Sequence, residues 1–141
     1  MPCFNQGQYV EEAIASVNNQ TVKDVEIILI EDCSTDGFTR DYICQKTFTK
    51  TRKILNDHNL GVCESRNIAI QAARGLFILP LDADDKIAPD FISSALDVIE
   101  SGTADVVYSK VQLFGDQNDY FTLKKFSLAR MLGGNVVVNT A

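Results

Sequence analysis

The strongest constraint on the fold is the segment Val25–Ile30, a short and nearly unbroken run of apolar, mostly β-branched residues. Such a run is typical of a strand buried on both faces, as in a parallel sheet. Leu76–Leu81 has the same character, and Arg52–Leu55 predicts a short strand between the two. Helical patterns separate these strands, so the sequence predicts an α/β domain with right-handed crossovers.

The spacing of apolar residues predicts the remaining elements. We expect helices over residues 7–20, 36–47, 62–73 and 89–99, and a short helix over 126–132. A strand is expected over 104–113, a polar loop over 114–120 and an apolar stretch at 136–138. With 141 residues, the whole chain (1–141) is predicted to form a single domain.

Composition excludes several classes of protein. The chain is 45% hydrophobic and 23% charged, which is typical of a folded soluble protein. A net charge of −6 without a basic run argues against nucleic acid as a partner. The four cysteines form no CxxC pair and are predicted to be reduced, mostly buried thiols, and no apolar run is long enough to span a membrane. We expect a cytoplasmic protein, at the inner face of the membrane if a longer parent protein is anchored there.

Acidic residues follow two of the predicted strands, at Glu31–Asp36 and at Asp82–Asp85. Ligands of open α/β sheets bind beyond the carboxyl ends of the strands, so both clusters are expected to face one crevice. Asp82 and Asp84 are two residues apart and would point to the same side of an extended strand end. Two adjacent carboxylates need a cation, and Mg²⁺ or Mn²⁺ completed by a nucleoside diphosphate suits them.

Each of these residues also has a structural interpretation. Acidic residues after a strand commonly cap the next helix, a role that fits Asp85 and Asp36. Arg66, early in a helix that begins near Gly61, could supply positive charge to a phosphate or a planar donor to a base. Alternatively, Arg66 is a surface residue paired with Glu64. Taken singly, these motifs favour the structural interpretation.

The order of the motifs is more specific than any one of them. Five blocks in sequence resemble the family 2 glycosyltransferases of the GT-A fold: Pro2–Asn5, Ser16–Thr21, Glu31–Asp36, Asn59–Asn67 and Leu81–Asp85. The resemblance covers nearly the whole chain. It implies a Rossmann-like, mostly parallel sheet with helices on both faces, and a site for a nucleotide-diphosphate sugar.

The resemblance also implies roles for individual residues. Pro2 and Asn5 would lie beside the nucleotide. Asp32 would contact its base or ribose, and Arg66 would also reach the nucleotide.

The Asp-x-Asp motif would complete this site. Asp82 would lie against the ribose, and Asp84 would bind the Mg²⁺ or Mn²⁺ ion that bridges the two phosphates. In such a family the sugar, here most simply from a UDP-sugar donor, passes with inversion to a hydroxyl of a saccharide, lipid or protein acceptor.

The sequence departs from the family pattern at both ends. In the family an apolar strand precedes the Pro-x-x-Asn segment, whereas only Met1 precedes Pro2 here. The family's general base lies in an acidic motif well downstream of Asp84, and no counterpart is recognisable before Ala141. We therefore expect an incomplete domain that lacks the usual first strand, has no assigned catalytic base, and exposes sheet edges through which it could self-associate.

Three functions remain open at this point. The first is a metal-dependent, inverting glycosyltransferase, of which this truncated chain could be an inactive part. The second is a non-catalytic fragment that binds nucleotide sugars but lacks the general base. The third is a receiver-like signalling domain, which would use Lys110 as its lysine but leaves the Asn-Gln-Thr and Ser-Arg-Asn blocks unexplained.

Overall fold

The computed structural model describes residues 1–115, 118–121 and 126–133. It divides into two compact units, Met1–Ser93 and Ser94–Ala141. The elements in chain order are β1 (Pro2–Cys3), α1 (Val10–Asn18), β2 (Ile27–Glu31), α2 (Thr39–Gln45), β3 (Thr51–Leu55), α3 (Gly61–Ala72), α4 (Phe91–Glu100), β4 (Val111–Gln112), β5 (Tyr120–Phe121) and α5 (Leu128–Gly133). The prediction of a single domain over the whole chain stays a prediction.

The first unit contains a parallel sheet with the strand order β1-β2-β3. Ile30 of β2 pairs with Pro2 on one side and with Ile54 on the other. Every residue of β2 is buried, as the apolar run predicted, since a central strand has no face in water. The α/β class with a parallel sheet is therefore confirmed.

Helix α1 forms where the apolar spacing predicted it. Its buried side chains, Val10, Ala13, Ile14 and Val17, recur at intervals of three and four residues, which places them on one face. Helices α2, α3 and α4 also begin and end within one to three residues of the predicted bounds. The helices flanking the strands are thus set by local pattern.

The predicted strand over Leu76–Leu81 is wrong, because no strand forms there. Leu76 is 88% exposed and its three apolar successors are also exposed, whereas Leu81 is buried. Among the described residues, no backbone hydrogen bond joins this segment to the sheet. A strand needs a neighbouring edge with free backbone groups, and the two-residue β1 offers little of one.

The second unit departs further from expectation. The strand predicted over 104–113 is reduced to Val111–Gln112, which pairs antiparallel with Tyr120–Phe121. Tyr120 was expected in a polar loop, and this hairpin pairing places it in a strand. The helix predicted over 126–132 forms as α5. Residues 136–138 lie outside the described residues.

Two further expectations bear on the chain's environment. Within residues 1–115, 118–121 and 126–133, no helix is both long and apolar enough to cross a membrane. All four cysteines are free thiols, but the prediction that most are buried is wrong. Cys3 alone among them is buried, while Cys44 and Cys63 lie on exposed positions of α2 and α3.

Candidate functional site

A crevice of about 400 Å³ opens at the carboxyl ends of β1 and β2. Residues from four separate segments line it, among them Pro2, Gln6, Asp32, Gly61, Asp82 and Asp84. Parallel strands direct their carboxyl ends to the same edge, and the loops that follow β1 and β2 meet there. The structure therefore brings Asp32 of the first acidic cluster to the same crevice as Asp82 and Asp84 of the second.

Asp32 anchors the start of α3 to the end of β2. Its two carboxylate oxygens accept hydrogen bonds from the backbone N–H groups of Leu60 and Gly61, each at 2.9 Å, and one also accepts from Asn56 Nδ2 at 2.7 Å. Burial opposes ionisation of this carboxyl, but these hydrogen bonds outweigh it and hold its pKa below the ordinary value. The contact of Asp32 with a base or ribose stays a prediction, and its oxygens already have protein partners.

Asn5 fastens the loop after β1 to the loop after β2. Its side-chain Oδ1 accepts hydrogen bonds from the backbone N–H groups of Thr35 and Asp36, at 2.8 and 3.2 Å. Its own backbone N–H donates to Ser34 Oγ at 3.0 Å. Asn5 has a φ of 56°, a left-handed conformation that asparagine tolerates better than most residues. Its place beside a nucleotide stays a prediction, but its neighbours Phe4 and Gln6 line the crevice.

Asp36 has the structural role proposed for it from the sequence. Its carboxylate accepts hydrogen bonds from the backbone N–H of Phe38 at 3.1 Å and of Thr39 at 2.9 Å, at the start of α2. A hydrogen bond from the Thr39 hydroxyl, with help from these backbone groups, lowers its pKa. Thr39 Oγ1 in turn accepts from the backbone N–H of Gly7 at 2.8 Å, so the loop after β1 is also tied to α2.

Arg40 is a residue that the sequence analysis missed. Its guanidinium pairs with the fully buried carboxylate of Glu31 and donates to the carbonyl oxygen of Asn56 at 2.9 Å. Glu31 also accepts from the backbone N–H of Ser34 at 2.6 Å. The signal was available, because an acid that continues a buried strand needs a cationic partner. What the sequence could not show is which cation supplies it.

Arg66 pairs with Asp82, a residue that lines the crevice, and not with Glu64, so the surface alternative is wrong. Its guanidinium forms an ion pair with Asp82 at 2.6 Å, in which the two side chains are 21% and 27% exposed. Its Nε is buried and has no hydrogen-bond partner among the described residues. This leaves the guanidinium one donor that a further acceptor could satisfy.

Asp84 lies on the exposed side of the turn that carries Asp82. The turn is closed by a hydrogen bond from the backbone N–H of Asp85 to the carbonyl oxygen of Asp82, at 3.2 Å. In the described part of the chain, no cluster of three or more His, Cys, Asp or Glu side chains could hold a metal ion. The crevice offers Asp84 and an Asp82 already paired with Arg66. That set fits Mg²⁺ or Mn²⁺ where diphosphate oxygens supply further ligands.

Comparisons with known proteins agree on the kind of protein this site belongs to. The model of a family described as "Glycosyl transferase family 2" matches residues 1–138. TuaG of Bacillus subtilis (strain 168), named for teichuronic acid biosynthesis, is 35% identical over 98 residues, which are 68% of this chain and 38% of TuaG. The chain thus spans well under half of that relative.

Solved structures match as well. S. aureus TarS 1–349, crystallised with UDP-GlcNAc, superposes with a TM-score of 0.61 and is 26% identical, covering 71% of this chain and 30% of that one. The mannosyltransferase PcManGT of Pyrobaculum calidifontis, solved with GDP-Man and Mn²⁺, has a TM-score of 0.59 at 22% identity, over 80% of this chain and 33% of its own. The second likeness concerns the fold alone.

Proposed function

We propose that this chain, which belongs to glycosyl transferase family 2, forms the donor-binding part of an enzyme that transfers a sugar from a nucleoside diphosphate to an acceptor. One observation carries the proposal: Asp82 and Asp84 line the crevice at the carboxyl ends of β1 and β2, and Arg66 of α3 pairs with Asp82. Carboxylates and a guanidinium at such an edge suit a ligand that is anionic and metal-bound.

Each charged group has a part in holding the donor. Asp84 would hold a Mg²⁺ or Mn²⁺ ion, which would neutralise negative charge on the diphosphate as it leaves the sugar. Arg66, with an unpaired buried Nε, would donate to the nucleotide while its Nη2 holds Asp82. Pro2 and Asp82 both line the crevice and would contact the nucleoside.

The donor and acceptor are proposed at the level of chemical class. A UDP-sugar is the proposed donor, supported by the UDP-GlcNAc complex of TarS. The acceptor is a hydroxyl of a saccharide, lipid or protein, and the name of TuaG supports a place in cell-envelope polysaccharide synthesis. We propose inversion at the anomeric carbon, assisted by a carboxylate base. Self-association through the sheet edge left open beside β1 also stays a proposal.

Calorimetric titration tests the donor site. The chain is titrated with UDP and with GDP, each with and without Mn²⁺, and the Asp84→Asn variant is compared with Asp41→Asn. Asp41 is an exposed acid on the first turn of α2, so its loss changes the net charge equally without touching the crevice. We expect cation-dependent binding that Asp84→Asn abolishes and Asp41→Asn preserves. Equal binding by the two variants would overturn the assignment of Asp84, and no binding of either nucleotide would overturn the donor site.

A further inference from the structure

One face of α1 contacts the segment that follows the Asp-x-Asp turn. Glu12, Ser16 and Gln20 are four residues apart, which aligns them along one side of the helix and of the turn that follows it. Glu12 pairs with Lys86 Nζ at 2.9 Å, and Ser16 Oγ accepts from the backbone N–H of Ile87 at 3.3 Å. Glu12 and Ser16 therefore contact two successive residues, Lys86 and Ile87, just after the turn.

Gln20 makes the strongest of these contacts. It is fully buried, and its Nε2 donates to the carbonyl oxygens of Ala88 at 2.7 Å and of Ser16 at 3.0 Å. Its Oε1 accepts from the backbone N–H of Ile92 at 3.0 Å. Both amide hydrogens and the amide oxygen are used, so the buried side chain is satisfied. It also bonds to one backbone acceptor and one backbone donor of the segment that follows the turn.

The backbone next to Gln20 strengthens the same attachment. The N–H of Thr21 donates to the carbonyl oxygen of Pro89 at 3.0 Å, and the hydroxyl of Thr21 lies 3.1 Å from Ser93 Oγ. The end of α1 therefore holds Ala88–Ser93 by both main chain and side chain. A short, exposed ion pair such as Glu12–Lys86 contributes much less than the buried amide.

The segment Ala88–Ser93 comes shortly after the acidic turn, so its attachment to the end of α1 also restrains the turn. It continues directly from the turn of Asp82–Asp85, and that turn has no sheet ladder to fix it because Leu76–Leu81 is not a strand. At its first residue, the turn is held by the ion pair of Asp82 with Arg66. After Asp84, the next buried side chain is that of Ile87, between the turn and the residues that Gln20 binds.

We infer that Gln20 is a positioning residue that fixes the chain after the turn and thereby presents the Asp84 carboxylate to the cation in one place. The inference rests on the proposed function, in which Asp84 binds that cation. Residues that orient a metal ligand change metal affinity when they are removed, even though they do not touch the metal. Gln20 acts on Asp84 through the main chain, because it binds the backbone of Ala88, four residues further along.

The test replaces Gln20 and follows two properties. Gln20→Leu roughly keeps the volume but removes the bonds to Ala88 and Ile92. Ser16→Ala removes the bond from Ile87 and a bond within α1 to the carbonyl of Ala13, and it keeps the test usable if the first variant does not fold. Ile43→Val, in the core of α2 and outside this contact, controls for general loss of stability. The readouts are hydrogen exchange of the peptide spanning 82–92, and the Mn²⁺ concentration needed for half-maximal binding of UDP or GDP.

We expect Gln20→Leu to speed exchange in 82–92 and to raise the required Mn²⁺ concentration by about 10- to 100-fold, with Ser16→Ala shifting both less and Ile43→Val leaving both near the parent values. Without the metal, each variant and the parent chain should behave alike in the nucleotide titration. Unaltered exchange in 82–92, or a Mn²⁺ requirement equal to that of Ile43→Val, would overturn the inference. If the parent chain itself shows no cation-dependent binding, the proposed function fails, and the exchange readout alone decides whether Gln20 anchors the turn.

Discussion

Replacement of Arg40 by methionine tests how the end of β2 is held together. Glu31 has no exposed surface, and its carboxylate has two partners, the N–H of Ser34 and the Arg40 guanidinium. Arg40→Met leaves that charge buried with one hydrogen bond, and it also removes the bond to the carbonyl of Asn56. Breaking a buried ion pair by removing one partner costs about 3–5 kcal/mol. Because the Arg40 side chain is 36% exposed, water can reach the vacated site, and we expect the lower end, about 3 kcal/mol.

Urea unfolding followed by circular dichroism measures this cost. Arg74→Met is the matched control, because Arg74 pairs with Glu26 through a side chain that is 80% exposed. Such a pair contributes less than about 1 kcal/mol. The double variant Glu31→Gln/Arg40→Met should cost less than the sum of its single changes, because it leaves no buried charge behind. A loss for Arg40→Met no larger than for Arg74→Met, or strict additivity in the double variant, would refute the reasoning.

Two further predictions concern the loop and strand at the start of the chain. Burial lowers the pKa of the Met1 amine from 8.0 to about 6, although Asp82 opposes the shift, so the unfolded chain binds more protons between these values. The unfolding free energy should therefore rise by up to about 3 kcal/mol from pH 6 to pH 8 and level off above, and a flat profile in urea titrations would contradict this. A Cβ on Gly7 would lie 2.8 Å from Thr39 Cα, so Gly7→Ala should lower the unfolding free energy by about 1–3 kcal/mol. The same change at the open position Gly102, whose φ is 70°, would lack this clash and cost only its backbone strain.

Local pattern was enough for elements whose identity depends on their own residues. The strand β2 needed only a continuous apolar run, since a segment buried on both faces has no polar positions to space. The helix α1 needed only apolar residues at helical intervals, and the side chains at Val10 and Ile14 are buried as that spacing requires. The helix-starting role of Asp36 was predictable for the same reason, because its partners are two and three residues away.

Pairs that join distant segments were beyond local reasoning. Glu64 lies two residues from Arg66 in sequence, yet the guanidinium pairs with Asp82, sixteen positions away. Which of the two acids Arg66 binds depends on how α3 packs against the chain beyond Leu81. Likewise, the block Ser16–Thr21 was recognisable by its resemblance to a family, but nothing in its composition tells that Gln20 binds Ala88 and Ile92.

The segment Leu76–Leu81 shows that the acidic turn can be held in place without a strand before it. Its apolar pattern supplies the side chains of a strand, but a strand also needs backbone partners on a neighbouring edge, which a two-residue β1 does not provide. The end of the segment is nevertheless in place, because Leu81 is buried and Asp82 is paired with Arg66. The acidic turn is therefore positioned by side-chain contacts and not by a hydrogen-bonded ladder. It follows that substitutions at these contacts should disturb the crevice more than substitutions along the exposed residues Leu76–Leu79.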